Sequence, residues 1–225
     1  MLRVVPVIAL LSLASWPADV PFAEGERLHY AALLRGRELG EAELRVSAGG
    51  VVRGESTWRF DARGEISTLG LKSSWQGISW AERDRLVSRR FHRSSRLAGI
   101  DSDERFEILP DSQRYRVAGE SQAWVAPARP MDEVALLYHL RTLDLAPGQR
   151  VALKGYFRNG WNPVRVAAIG RERVTLASGA SVTCMHLSVS AAGTSADIWL
   201  TDDARRVPAK LSMPTRLGKV TLLLK

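Results

Sequence analysis

The 225-residue chain predicts an all-β fold: a single curved antiparallel sheet rolled into a partly closed, barrel-like domain, with one short amphipathic helix packed against it. Three observations carry this expectation. Turn-forming residues recur at Arg35-Gly36, Ala48-Gly49-Gly50, Asp61 to Gly64, Gly99 to Asp101, Pro110 to Ser112, Asn159-Gly160, Ser178-Gly179 and Asp202-Asp203. They leave segments of roughly 6 to 12 residues, the spacing of hairpin-linked strands. Several segments alternate with period two, the mark of strands with distinct faces. A single stretch breaks that pattern with helical spacing.

The first twenty residues read as an address. Met1-Leu2-Arg3 is basic, Val4 to Leu13 is apolar apart from Pro6 and Ser12, and Ser12-Leu13-Ala14 offers small residues. That is the three-part layout of a secretory signal. A buried N-terminal strand or helix is the alternative. The apolar run is shorter than the roughly 20 residues a spanning helix needs. No cysteine follows it, so a bacterial lipoprotein anchor is not expected. Residues 1–20 are thus expected to be a secretory signal peptide. Residues 21–225 are expected to be one β-rich domain, soluble in the periplasm and without a transmembrane anchor.

Along that domain, Val174 and Leu176 share one strand face. Thr183, Met185, Leu187 and Val189 share a face, and Cys184 with His186 share the opposite one. Lys219 to Leu224 is apolar on nearly both faces, which predicts a well-covered closing strand. From Met131 to Leu143, Leu136, Leu137, Leu140 and Leu143 follow helical spacing. Pro130 precedes that run, Asp132 is the expected N-cap, Glu133 suits the first turn, and Pro147-Gly148 ends it.

Five stretches resemble a known family. They are Pro21 to Tyr30, Leu39 to Leu44, Asp132 to Leu143 with its Leu-Tyr-x-Leu-Arg core at Leu137 to Arg141, Gly179 to Leu187 around Cys184, and Ile198 to Pro208. In that order and spacing, the chain resembles the bacterial exported proteins grouped as domain of unknown function 3108. The resemblance implies a β-rich periplasmic protein whose curved sheet wraps a core or cavity. It implies no catalytic residues.

Composition excludes other classes. Hydrophobic residues are 45% and charged residues 25%, ordinary globular usage that rules out disorder and collagen-like structure. One cysteine rules out an intramolecular disulfide. Lys plus Arg is 32 against 24 for Asp plus Glu, and 27 of those cations are Arg. The basic balance suits nucleic acid, an anionic membrane or an acidic polymer. An exported chain makes nucleic acid the least expected of these.

Catalytic and metal signatures are missing. His29, His92, His139 and His186 show no ligand spacing, and no metal or other cofactor is expected. Cys184 and His186 lie two apart on one strand, where a buried structural Cys is the simpler reading than a nucleophile. Asp202-Asp203 reads as a turn rather than a carboxylate pair. No nucleophile elbow, phosphate loop or dinucleotide fingerprint occurs.

The candidate binding residues are Arg83, Arg85, Arg89, Arg93 and Trp161. In a strand, the four arginines would share a face with Val87 and Phe91 and could meet phosphorylated headgroups or an acidic glycan. Asp101, Asp103, Glu104 and Glu107 follow at hairpin distance and could neutralise them instead. Trp161 lies in a turn between Gly160 and Asn162-Pro163. The expected role is non-enzymatic: binding an envelope lipid, glycolipid or acidic glycan on a curved sheet. The alternatives are an envelope assembly factor acting through a protein partner and, last, a hydrolase with an unrecognised site.

Overall fold

The structure, a computed structural model, describes residues 20–68, 71–97, 99–153, 155–158, 162–191, 193–215 and 218–225. Residues 1–19 of the expected signal lie outside the described residues, as do Asn159-Gly160 and Trp161. In chain order the strands are β1 (Arg27–Leu34), β2 (Arg37–Val52), β3 (Glu55–Thr68), β4 (Leu71–Glu82), β5 (Ser88–Leu97), β6 (Ile100–Leu109), β7 (Arg114–Val117) and β8 (Ala123–Val125). The helix α1 (Glu133–Thr142) follows. Then come β9 (Arg150–Leu153), β10 (Val164–Thr175), β11 (Ser181–Ala191), β12 (Thr194–Thr201), β13 (Pro208–Thr215) and β14 (Gly218–Leu224).

Among the described residues, these fourteen strands form one antiparallel sheet, ordered from β8 through β1 and then from β14 through β9. The two halves join where β1 meets β14, from Tyr30 opposite Leu224 to Leu34 opposite Val220. Lys219 to Leu224 has strand neighbours on both edges, but its faces are less covered than expected: Val220, Leu222, Leu223 and Leu224 are only half-buried. It joins the halves in mid-sheet instead of closing a barrel, and the edges β8 and β9 do not pair with each other.

Two of the expected turns lie inside strands. Ala48-Gly49-Gly50 is a bulge, with a register shift against β3, and Asp61 to Gly64 runs straight through β3. Glycine within a strand marks such bulges as readily as it marks turns. The turn between β2 and β3 is Arg53-Gly54, with φ of 49° and 85°. Both residues in the left-handed region match the tight hairpin geometry whose twist suits the strands.

Curling of the sheet brings its two ends together. Phe157, which follows β9, packs its ring 5.0 Å from Phe106 and 5.3 Å from Tyr115 on β6 and β7. Between the edges, Met131 donates its N–H to Gly155 O at 3.1 Å and accepts from Phe157 N at 3.0 Å. The seam is thus two coil segments pairing in parallel, with no strand ladder across it among the described residues. The single main core spans both halves, from Phe60 and Phe106 to Val166, Leu187 and Leu200.

The helix is buried more completely than an amphipathic surface helix. Val134, Ala135, Leu136, Leu137, Tyr138, Leu140 and Arg141 are all buried. Tyr138 stacks on Phe60 with centroids 4.0 Å apart, and Phe22 packs edge-on against Trp58, Phe60 and Tyr138. The buried Arg141 grips Glu26 at 2.6 and 3.0 Å and the carbonyls of Pro21 and Arg205 at 2.8 and 3.0 Å. One side chain therefore ties the helix, the segment before β1 and the turn before β13.

Candidate functional site

The arginine-rich stretch does not form one strand face. Glu82 ends β4 and Ser88 starts β5, so Arg83 and Arg85 lie in the connection between them. Arg83 pairs with Glu24 and lies over the Trp58 ring, and Arg85 pairs with Glu82 at 2.7 Å. Arg89 is buried, held by Glu82 at 2.6 Å and Asp111 at 3.2 Å. Across the β5–β6 hairpin, Arg90 meets Glu107 at 2.8 Å, Arg93 meets Glu104, and Arg96 meets Asp101 at 2.6 Å. Cross-strand acids thus neutralise these three cations. Of the four candidate arginines, Arg93 alone lies half-exposed among inward-facing groups.

Strand alternation explains that exception. Phe91 lies opposite Phe106 in the core, so Arg93, Ser95 and Leu97 on β5 share the inner face with Glu104, Ser102 and Ile100 on β6. Neighbouring strands extend the same rows. Arg93 lies beside Gly77, Ser95 beside Trp75, and Leu71 faces Thr68 at the β3–β4 tip.

The inner face therefore has layers. At the rim Leu71, Leu97 and Ile100 are 59%, 42% and 75% exposed. Trp75, Ser95 and Ser102 form the next row. Below them lies an ion cluster, and beneath that the floor of Phe91, Phe106 and Phe157.

The cluster draws on three elements and the seam. Glu104 from β6 accepts from Arg93 of β5, with Nε at 3.1 Å, and from Arg158 Nη2 at 3.1 Å. Glu133, in the first turn of α1, takes Arg93 Nη1 at 3.3 Å and the Tyr156 hydroxyl at 3.0 Å. The Arg158 guanidinium also lies over the Phe106 ring at 4.9 Å. Burial would raise the Glu104 carboxyl, but hydrogen bonds and charge from Arg93 and then Arg158 outweigh it and hold it below the usual range. Burial, then the charge of Glu133, pushes the Tyr156 hydroxyl well up.

Tyr156 and Arg158 escaped sequence reasoning. They sit in a coil after a four-residue strand, and no periodicity marks them. Only the rolling of the sheet brings them opposite β5 and β6.

On the outer face, an open groove of about 1020 Å³ crosses β1 to β6. Its walls include Glu43, Arg63, Gln76, Ser94 and Asp103, which are direct cross-strand neighbours. The outer surface is thus concave at this level. The groove walls are polar: Arg63 pairs with Glu43, Arg96 pairs with Asp101, and Asp103 is hydrogen-bonded to His92 at 2.8 Å.

The Cys184–His186 strand face carries a brace. His186 sits between Glu172 (2.9 Å) and Asp197 (3.2 Å), stacked 4.3 Å from Trp199. The Trp199 indole N–H donates to Glu172 at 2.9 Å. Cys184 is buried beside Val174, Trp199 and Ala209 in a second, outer cluster. Burial, then Asp203 and Asp202, pushes its thiol up to about 11, so little of the reactive thiolate exists near neutral pH. Asp203 caps a turn, accepting the backbone N–H of Arg205 and Arg206, while Asp202 pairs with Arg171. Among the described residues, no three metal-ligating side chains converge.

A single, open, strongly rolled antiparallel sheet around a central helix defines a barrel-like β protein. Residues 27–225 match the family described as protein of unknown function (DUF3108), and the chain belongs to that family. Among solved structures, it is similar to a beta-barrel-like protein of domain of unknown function DUF1849 from Brucella abortus. The two share 8% identity at a TM-score of 0.52, covering 88% of this chain and 95% of that one. That likeness is one of fold. No curated protein matches the chain by sequence. No described helix is long and apolar enough to cross a membrane.

Proposed function

We propose that this protein is exported to the periplasm as one domain, residues 21–225, and binds an amphiphilic component of the cell envelope without catalysis. The binding surface is the inner face around Leu71 on β4, Leu97 on β5 and Ile100 on β6. The observation that carries this reading is the exposure of Leu71, Leu97 and Ile100 on the same face as a half-buried ion cluster two rows below. Exposed apolar side chains in a contiguous patch cost solvation and mark interaction sites. Apolar contacts beside converging polar groups are what an amphiphile needs. We place the ligand on the sheet, above the aromatic floor of Phe91, Phe106 and Phe157.

Export rests on the order of charge, apolar run and small residues before Val20. A second reading, a protein partner, is favoured by the edge strand β8, where Trp124 and Val125 are 43% and 54% exposed.

The test is native mass spectrometry of the protein purified without detergent from a bacterial periplasm. A stoichiometric amphiphile is expected, together with its loss from a Leu97→Lys, Ile100→Lys variant of unchanged fold. Protein that arrives empty, and stays empty when offered envelope lipids and glycans, would overturn this reading in favour of a protein partner at β8.

A further inference from the structure

We infer that the amphiphile bound at this inner face carries an anionic headgroup, a carboxylate or phosphate, seated on Arg158 beside the Arg93–Glu104 pair. This rests on the amphiphile reading and specifies its chemistry. Arg158 places one guanidinium nitrogen on Glu104, and among the described residues it has no second acid partner. A guanidinium has five N–H donors, so most of its fork remains for another acceptor. Arg93 and Arg158 already converge on one carboxylate, Glu104, from opposite oxygens. An incoming carboxylate or phosphate meets the same chemistry.

The other acid of the cluster, Glu133, holds Arg93 Nη1 at 3.3 Å, so Arg93 is fully engaged by Glu104 and Glu133 and the open donors are those of Arg158. Glu133 takes the Tyr156 hydroxyl at 3.0 Å and lies in the first turn of α1, where the helix dipole favours negative charge. The ring of Phe106 beneath Arg158 holds its guanidinium plane in place. Above the cluster, Trp75 and then Leu97, Ile100 and Leu71 supply the apolar track for a chain. The order from floor to rim is charge, then an aromatic and hydroxyl belt, then aliphatic surface. The net charge of +8 adds a field that attracts anions.

The test compares probes that share a twelve-carbon chain, all below their micelle concentrations: dodecyl phosphate, dodecanoate, 1-monolauroylglycerol and dodecyltrimethylammonium. Inorganic phosphate alone is the chainless control. Calorimetric titration is expected to rank both anions about tenfold or more above the neutral probe, the scale of one charge-assisted bidentate contact. Inorganic phosphate is expected to bind far more weakly than dodecyl phosphate. Arg158→Gln should erase the preference for anions and leave the neutral probe unchanged. Glu104→Gln, which removes the competing carboxylate, should strengthen anion binding and serves as the second variant if Arg158→Gln does not fold. Equal binding of all four amphiphiles, or a preference for the cation, would overturn the headgroup assignment while leaving the amphiphile site standing. Binding of none of them would remove the amphiphile reading itself.

Discussion

Asp132 ties three elements together. Its Oδ1 accepts the N–H groups of Val134 and Ala135 at 3.0 and 2.9 Å, the N-cap arrangement that its position before Glu133 predicts. Its Oδ2 accepts the hydroxyls of Ser79 on β4 and Ser88 on β5 at 2.6 and 2.7 Å, which no sequence pattern announces. Complete burial outweighs these donors and raises the carboxyl to about 6. The native state then holds this proton more tightly than the unfolded chain. The resulting stabilisation is full below pH 4 and is lost as pH rises to about 6. At 1.36 kcal/mol per unit, it is on the order of 2–3 kcal/mol. Urea titrations between pH 4 and 7 should show that slope in the native protein and not in Asp132→Asn. An identical slope in both would refute the account.

Arg141 shows the same division. Its neighbour on the helix, Tyr138, is legible from the three-residue spacing, and the guanidinium does lie 5.4 Å from that ring. Its grip on Glu26, which lies 115 positions earlier, is a product of the fold.

At the scale of elements, the helix depends on a missing side chain in the strand beneath it. A Cβ on Gly77 would come within 2.9 Å of both the Trp75 ring and Val134 Cγ2. Gly77→Ala should push the first turn of α1 off the sheet and cost about 1–3 kcal/mol, the usual cost of overpacking. Gly64→Ala is the contrast, because its Cβ would sit at an ordinary 3.4 Å from Ala42. Unfolding midpoints measured in urea decide it: equal losses at both positions would remove the packing argument. The helix itself was readable from its leucine spacing and cap. Its burial on nearly all sides was not, because Arg141 and Asp132 look like surface residues until the sheet surrounds them. The long strands β2 and β3 misread for a similar local reason, since a glycine bulge and a glycine turn have the same composition.

For the whole molecule, closure rests on the coil that follows β9. Phe157 is fully buried against Phe91, Phe106 and Tyr115, although it belongs to no strand. Phe157→Ala should cost about 3–5 kcal/mol, as much as a core strand Phe, and should speed hydrogen exchange at the Met131 and Phe157 amides. A loss below about 1 kcal/mol would mean that the roll holds without its seam.

The amino-acid sequence by itself determined the antiparallel β class, the position and cap of the single helix, the faces of β11, and the acids that could neutralise the arginine-rich hairpin. Each of these follows from periodicity or from partners within one hairpin, at most 17 residues apart. Only the tertiary structure decided that the sheet stays open, that β14 joins β1 in mid-sheet, and that Arg93 meets Glu133 and shares Glu104 with Arg158. Those contacts join segments that lie tens of residues apart in the chain. Sheet curvature accumulates from twist and bulges over fourteen strands, and no local pattern of residues encodes where the two ends meet.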